Sequence, residues 1–183
     1  FIGGNALAQQ MCQAVVPGGT QVQTIFAGQT IEAGTVTLEV LGEDLIVTYN
    51  TIEDWTLTEA HLWVGDSLDE MPRSRRGNPK IGRFPYNSGG LPNIDEFSFI
   101  IPLAELDFSC PSDNTGFFAA AHAVVERPDG SGGTQNETGW AEGDRIVPQG
   151  SWATFFEFEL GCECEAEMLC ETAFAFGETE LDL

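Results

Sequence analysis

The chain has only two histidines, His61 and His122, and each sits in a stretch that echoes the other. Trp55-Thr-Leu-Thr-Glu-Ala-His-Leu-Trp-Val64 and Phe117-Phe-Ala-Ala-Ala-His-Ala-Val-Val125 share the spacing Ala-His-x-x-Val. If the two stretches lie side by side, Glu59, His61 and His122 meet on one face. Two imidazoles and a carboxylate suit a transition metal or a proton-transfer site. Each histidine is flanked by apolar residues, however, and there a neutral, hydrogen-bonded core histidine is the commoner outcome. The expectation is therefore no metal, with Glu59, His61 and His122 as the place to look for one. Acidic groups at Asp66/Asp69/Glu70 and Asp95/Glu96 supply oxygen ligands of the kind calcium takes, but no D-x-D-x-D-G loop accompanies them. A structural Ca²⁺ is the one cofactor this leaves open. Nothing singles out two of the 29 acids as a glycosidase pair. The chain has no G-x-S-x-G, no P-loop and no Rossmann fingerprint, so no catalytic residue is expected.

The elements that must position these residues read as strands. In the first stretch Thr58, Ala60, Leu62 and Val64 alternate with Leu57, Glu59, His61 and Trp63, so they fall on opposite faces. Both stretches are apolar on both faces, as central strands covered on two sides are. Further strands are expected at Gln9–Val16, Gln21–Phe26, Thr35–Val40, Leu45–Asn50, Phe97–Leu103 and Ser151–Leu160. The turn Leu41-Gly-Glu-Asp44 makes a hairpin of the third and fourth. Thr138–Asp144 reads as a loop around Trp140. About seven strands separated by turn signals predict an all-β fold. Its form is a single immunoglobulin-like or jelly-roll-type antiparallel β-sandwich with extended terminal strands. The body is residues 20–160, preceded by a tail at 1–19 and followed by a cysteine-rich tail at 161–183 that carries a further strand candidate around Phe174 and Phe176.

Residues 65–96 interrupt the pattern with a loop of a length usually tied to function or packing. Five of the seven basic residues lie in it: Arg73, Arg75, Arg76, Lys80 and Arg83. A basic finger on a body of net charge −22 suits docking onto an acidic surface such as another subunit. The plainer reading is local pairing with Asp66, Asp69, Glu70 and Asp95, which is worth little energetically. Phe84-Pro-Tyr86 is expected to anchor the loop to the body.

The acidity argues against nucleic acid and anionic membrane surfaces, and no apolar run approaches the roughly 20 residues of a membrane span. With 42% hydrophobic residues and thirteen Phe the chain can still build a core. Five cysteines, Cys12, Cys110, Cys162, Cys164 and Cys170, are read as disulfide candidates, since zinc spacing is missing. An odd count leaves one thiol free or bonded to another molecule. Ala6-Leu-Ala8 has the form of a signal-peptide cleavage site but is read as part of an ordered tail. Asn136-Glu-Thr138 is a glycosylation acceptor, placed by this reading in the loop that begins Arg127–Thr134, where a glycan would have room. These features point to a secreted, extracellular protein with glycans as possible partners.

Several stretches then carry a resemblance in combination: Thr58-Glu-Ala-His-Leu62, Gly82-Arg-Phe-Pro-Tyr86, Ala120-Ala-His-Ala-Val-Val125, Glu137-Thr-Gly-Trp-Ala-Glu-Gly143 and Cys170-Glu-Thr-Ala-Phe-Ala-Phe-Gly177. Over residues 20–177 the chain resembles a secreted β-sandwich module of extracellular proteins in microbes and algae. Versions of it are similar to subunits of extracellular glycoprotein filaments joined by strand donation. Related proteins continue after the glycine, whereas this chain ends in Glu178-Thr-Glu-Leu-Asp-Leu183. The resemblance implies no catalytic residue. The expectation is a non-enzymatic structural subunit that polymerises head-to-tail with copies of itself, without membrane insertion. The expected donor strand is the N-terminal tail, with Met11, Cys12, Ala14, Val15 and Val16 as plugs. Phe174 and Phe176 mark the alternative donor. The competing reading is a monomeric carbohydrate- or calcium-binding adhesin module, with Phe84, Tyr86 and Trp140 on its ligand face.

Overall fold

A computed structural model describes residues 11–113 and 115–165. Its strands, in chain order, are β1 (Cys12–Val15), β2 (Thr20–Ala27), β3 (Ile31–Leu41), β4 (Asp44–Thr51), β5 (Thr56–Gly65), β6 (Tyr86–Asn87), β7 (Glu96–Pro102), β8 (Thr115–Pro128), β9 (Thr134–Ala141), β10 (Asp144–Arg145) and β11 (Thr154–Cys164). Three short 3₁₀ turns, at Leu68–Glu70, Ile81–Arg83 and Leu103–Leu106, are the only helical pieces among the described residues. All strand pairs are antiparallel and join in one hydrogen-bonded path, β1-β11-β8-β9-β2-β3-β4-β7, with β5 on the other edge of β8. The all-β expectation holds.

That path folds over on itself where β9 meets β2, through three rungs from Ile25↔Ala141 to Ala27↔Gly139. Gly139 permits this corner: a Cβ there would lie 2.9 Å from Ile25 Cγ2. The two layers enclose the main core. Tyr49 on β4 crosses it, its hydroxyl donating to the His61 carbonyl of β5 at 3.0 Å. Val36, Leu38, Leu45, Val47 and Ile101 face Leu62, Ala121, Val125, Phe156 and Leu160, all buried. Each large apolar side chain so buried contributes roughly 1.5–3 kcal/mol.

Strands β5 and β8 pair along their length, with His61 opposite His122. The strict alternation expected for β5 fails at one point. A bulge between Leu57 and Glu59 lets two residues of β5 oppose one step of β8, so Leu57 rejoins the core face with Ala60 and Leu62. Trp140 lies in strand β9, not in a loop, and is buried. Asn136 also falls within β9: the turn sits at 129–133, so the sequon lies on the strand and stands opposite Glu126.

A second apolar layer covers the outer face of β5 and β8. Trp63, Ala120 and Trp140 on that face receive Met71 and Phe84 from the long loop, and Ile146 and Ala153 from the segment between β10 and β11. Phe84 meets Trp140 edge to face at 6.4 Å, which is the anchoring expected of Phe84-Pro-Tyr86. Covering on both sides explains why these two strands carry apolar residues on both faces.

Candidate functional site

Among the described residues the first strand, β1, has a single hydrogen-bonding neighbour, β11, through four rungs from Cys12↔Cys164 to Val15↔Gly161. One further bond extends the ladder, from the Glu165 N–H to the Met11 carbonyl at 3.1 Å. Alternation then decides which of the five expected plug residues face inward. Val16 is 2% exposed and belongs to the main core, and Ala14 packs against it. Met11, at 71% exposure, points to solvent and plugs nothing, and Val15 lies on the same outward parity. In this structure of one chain, the expected donor strand is seated on its own body.

After Val16 the chain turns through Pro17-Gly18-Gly19, closed by the Gly19 N–H bonding the Val16 carbonyl at 2.8 Å. Gly18 and Gly19 have φ of +84° and +94°, values that favour glycine, and neither glycine has an atom within 4 Å of where a Cβ would stand. The chain emerges in β2, which pairs with β3 in the opposite layer. Residues 16–19 are thus the joint at which the chain changes sheets. Above the joint β2 and β11 diverge around a cavity of about 390 Å³ lined by Val16, Gln21, Phe117 and Phe158, bridged by Gln21 Nε2 donating to the Glu157 carbonyl at 2.7 Å. A second groove, about 760 Å³, runs from Cys12 and Ala14 to Leu103 and Phe108.

Two disulfides form, Cys12–Cys164 and Cys110–Cys162. They accord with an oxidising environment. Cys170, like Phe174 and Phe176, lies outside the described residues.

The basic residues gather on a small hairpin. Arg73 bridges Pro79, and Ser74 and Gly77 close its turn. The hairpin packs on the segment before β11, where Asn78 Oδ1 accepts from the Ser151 N–H at 3.0 Å. Arg75, Arg76, Lys80 and Arg83 are exposed; Arg73 is half-buried, its Nη2 donating to the Leu68 carbonyl at 2.7 Å. Among the described residues the one acid–base contact within 4 Å is Glu59–His61, at 3.9 Å and charged only when His61 is protonated, so the acids near the loop do not hold these cations in salt bridges.

The histidines meet, as expected if their strands are neighbours, with ring centroids 5.5 Å apart, and His122 lies 4.9 Å from the Trp140 ring. Both rings are buried, and the Nδ1 of each makes no hydrogen bond. Burial, then the neighbouring His61, lowers the His122 pKa to about 3; burial lowers that of His61, opposed by Glu59. Among the described residues no group of three or more His, Cys, Asp or Glu side chains is placed to hold a metal ion. The expected ligand face is not assembled either. Phe84 and Trp140 are spent on the second core, and the Tyr86 hydroxyl donates to Glu105 at 3.0 Å. Asn136 is exposed, its Nδ2 donating to Glu126 Oε1 at 2.8 Å. No helix among the described residues is long and apolar enough to cross a membrane.

Comparison with protein-family models, with curated proteins and with solved structures finds no match. The sheet-switching joint was missed in the sequence, although Pro17-Gly-Gly19 marked a turn there.

Proposed function

We propose that the chain is a secreted, non-enzymatic structural subunit whose copies join head-to-tail into an extracellular filament by exchanging β1. The observation that carries this reading is the seat of β1: the first strand of the described residues, with one partner strand among them, set off from the body by a Pro-Gly-Gly joint and followed by Val16 in the core. If the joint opens, β1 leaves its own β11 and takes the same rungs on a neighbour's. Every bond lost in one copy is regained in the next, so the exchange is nearly neutral in energy, and short joints favour it over closure. A contact between two different surfaces gives an open filament when its rotation does not close into a ring, and the filament is the form this reading takes.

The basic hairpin is the second contact in this reading, with Arg75, Arg76, Lys80 and Arg83 meeting the acidic body of the adjoining copy and Arg73 bracing the hairpin from within. A glycan on Asn136 would stand clear of the β1 seat, on a different strand. The C-terminal strand with Phe174 and Phe176 is the alternative donor. No cofactor enters the mechanism.

The test compares the intact chain with a form lacking residues 1–19 by negative-stain electron microscopy. Filaments are expected from the first and none from the second. Filaments from both would move the donor to the C-terminal segment. Because truncation uncovers the core at Val16, a synthetic peptide spanning residues 9–17 is added in parallel. It should restore a cooperative thermal transition while leaving single subunits, and filaments formed with it would overturn the proposal.

A further inference from the structure

The five cysteines divide unequally about the joint at residues 16–19. Cys12 alone precedes it; Cys110, Cys162 and Cys164 follow it as part of the body or its last strand, and Cys170, also after it in sequence, lies outside the described residues. Of the two bonds, Cys110–Cys162 therefore ties together pieces that stay put when β1 moves. Cys12–Cys164 spans the moving contact itself, between residues directly opposite each other on β1 and β11.

We propose that Cys12–Cys164 is the covalent clamp of the polymer, joining Cys12 of one copy to Cys164 of the next, while Cys110–Cys162 remains an internal staple. The inference rests on the strand-exchange reading above. Register carries it. Wherever β1 seats, Val16 must reach its place in the core and Val15 its place opposite Gly161, and this brings Cys12 opposite Cys164 of whichever copy supplies β11. The pair sits at the open end of the ladder, with Cys164 exposed and Cys12 half-buried, where a thiol oxidant reaches it. The oxidant is a small-molecule or protein disulfide. The Cys164 thiolate opens that disulfide to form a mixed disulfide, releasing one thiol. The Cys12 thiolate then attacks the Cys164 sulfur and expels the second thiol. Two electrons and two protons pass from the cysteine pair to the oxidant, whose two sulfurs end as thiols. The bond forms only after β1 has seated, so it records which copy β1 joined and keeps β1 from returning.

The test co-refolds ¹⁴N- and ¹⁵N-labelled full-length chains from the reduced state in a glutathione redox couple. Cross-linked peptides are then mapped by mass spectrometry without reduction, and the same samples are viewed by electron microscopy. Peptides joined through Cys12 and Cys164 should carry mixed labels in the proportion random mixing gives, and those joined through Cys110 and Cys162 a single label. Non-reducing gels should show a ladder that collapses to one band with reductant. Cys12→Ser should abolish the ladder and leave filaments visible. Mixed-label filaments in which Cys12 and Cys164 stay unlinked would overturn the clamp and leave strand exchange standing. Filaments whose Cys12–Cys164 peptides carry one label only would place β1 on its own body and overturn both the clamp and exchange of β1. Single-label peptides with no filaments would overturn both.

Discussion

Burying His61 against His122, each with an Nδ1 that makes no hydrogen bond, ties the stability of the second core to pH. In the unfolded chain both titrate near pH 6.5, whereas folding lowers both and holds His122 at about 3. Above about pH 6.5 both states are neutral and the full stability is present. Below it the unfolded chain takes up protons that the folded chain refuses, and stability falls as pH drops from 6.5 toward 3. The slope approaches about 1.4 kcal/mol per pH unit for each such proton. Thermal melts of His122→Leu across this range should show a shallower loss than the parent; an unchanged slope would remove the histidine from the account. That the two rings could meet was legible only on the condition that the two strands are neighbours. The antiparallel register, with His61 opposite His122 but Ala60 opposite Ala123 and Val64 opposite Ala119, did not follow from the repeat. The covering layer was legible only in part: Phe84 was expected to anchor the loop, whereas Met71, Ile146 and Ala153 are distant in sequence and show no period.

The joint at residues 16–19 and the loop 65–96 are the two elements whose change should alter assembly and local stability. The joint already lets β1 fold back on its own β11, and because short hinge loops favour exchange, lengthening it should favour closure on the same chain further. Inserting Gly-Ser-Gly-Ser after Gly19 is expected to shift the protein from polymer to single subunits in sedimentation velocity. Polymer unchanged by the insertion would contradict exchange at this joint. The loop 65–96 is held by Phe84 against Trp140, and Phe84→Ala should weaken that attachment by about 3–5 kcal/mol, the usual range for a buried Phe. Hydrogen exchange should then quicken over residues 66–94 while β3 and β4 stay protected. Strands that alternate cleanly, such as β3 with Val36 and Leu38 inward, were readable from sequence. β9 was not: Thr134–Ala141 is polar, Gly-containing and half-exposed, and its strand character comes from pairing with β8 along seven rungs. The bulge at Leu57 was equally hidden, because period-2 reading assumes one residue per rung.

Across the whole molecule, charge is divided sharply. The loop 65–96 holds five acids and five bases and is neutral, so the other 24 acids and two bases carry the entire −22. Copies approaching at random repel, and an approach that leads with the exposed Arg75, Arg76, Lys80 and Arg83 is favoured. Arg75→Glu with Arg76→Glu should therefore slow assembly at about 0.05 M salt, and the difference should shrink toward 1 M, where the screening length falls to about 3 Å. Equal assembly rates at low salt would remove the hairpin from the interface. Net acidity and the basic finger were plain in the sequence. That β1 seats on β11, and that residues 16–19 separate two sheets, follows from contacts between the two ends of the described chain and no local pattern announces it. The account stands most directly on which copy holds β1. A cryo-electron microscopy map of the assembled protein, traced through residues 16–19, answers that. The account predicts density running from Gly19 in one body to a β1 seated on the β11 of the next. Density returning to the β11 of the same body would contradict it.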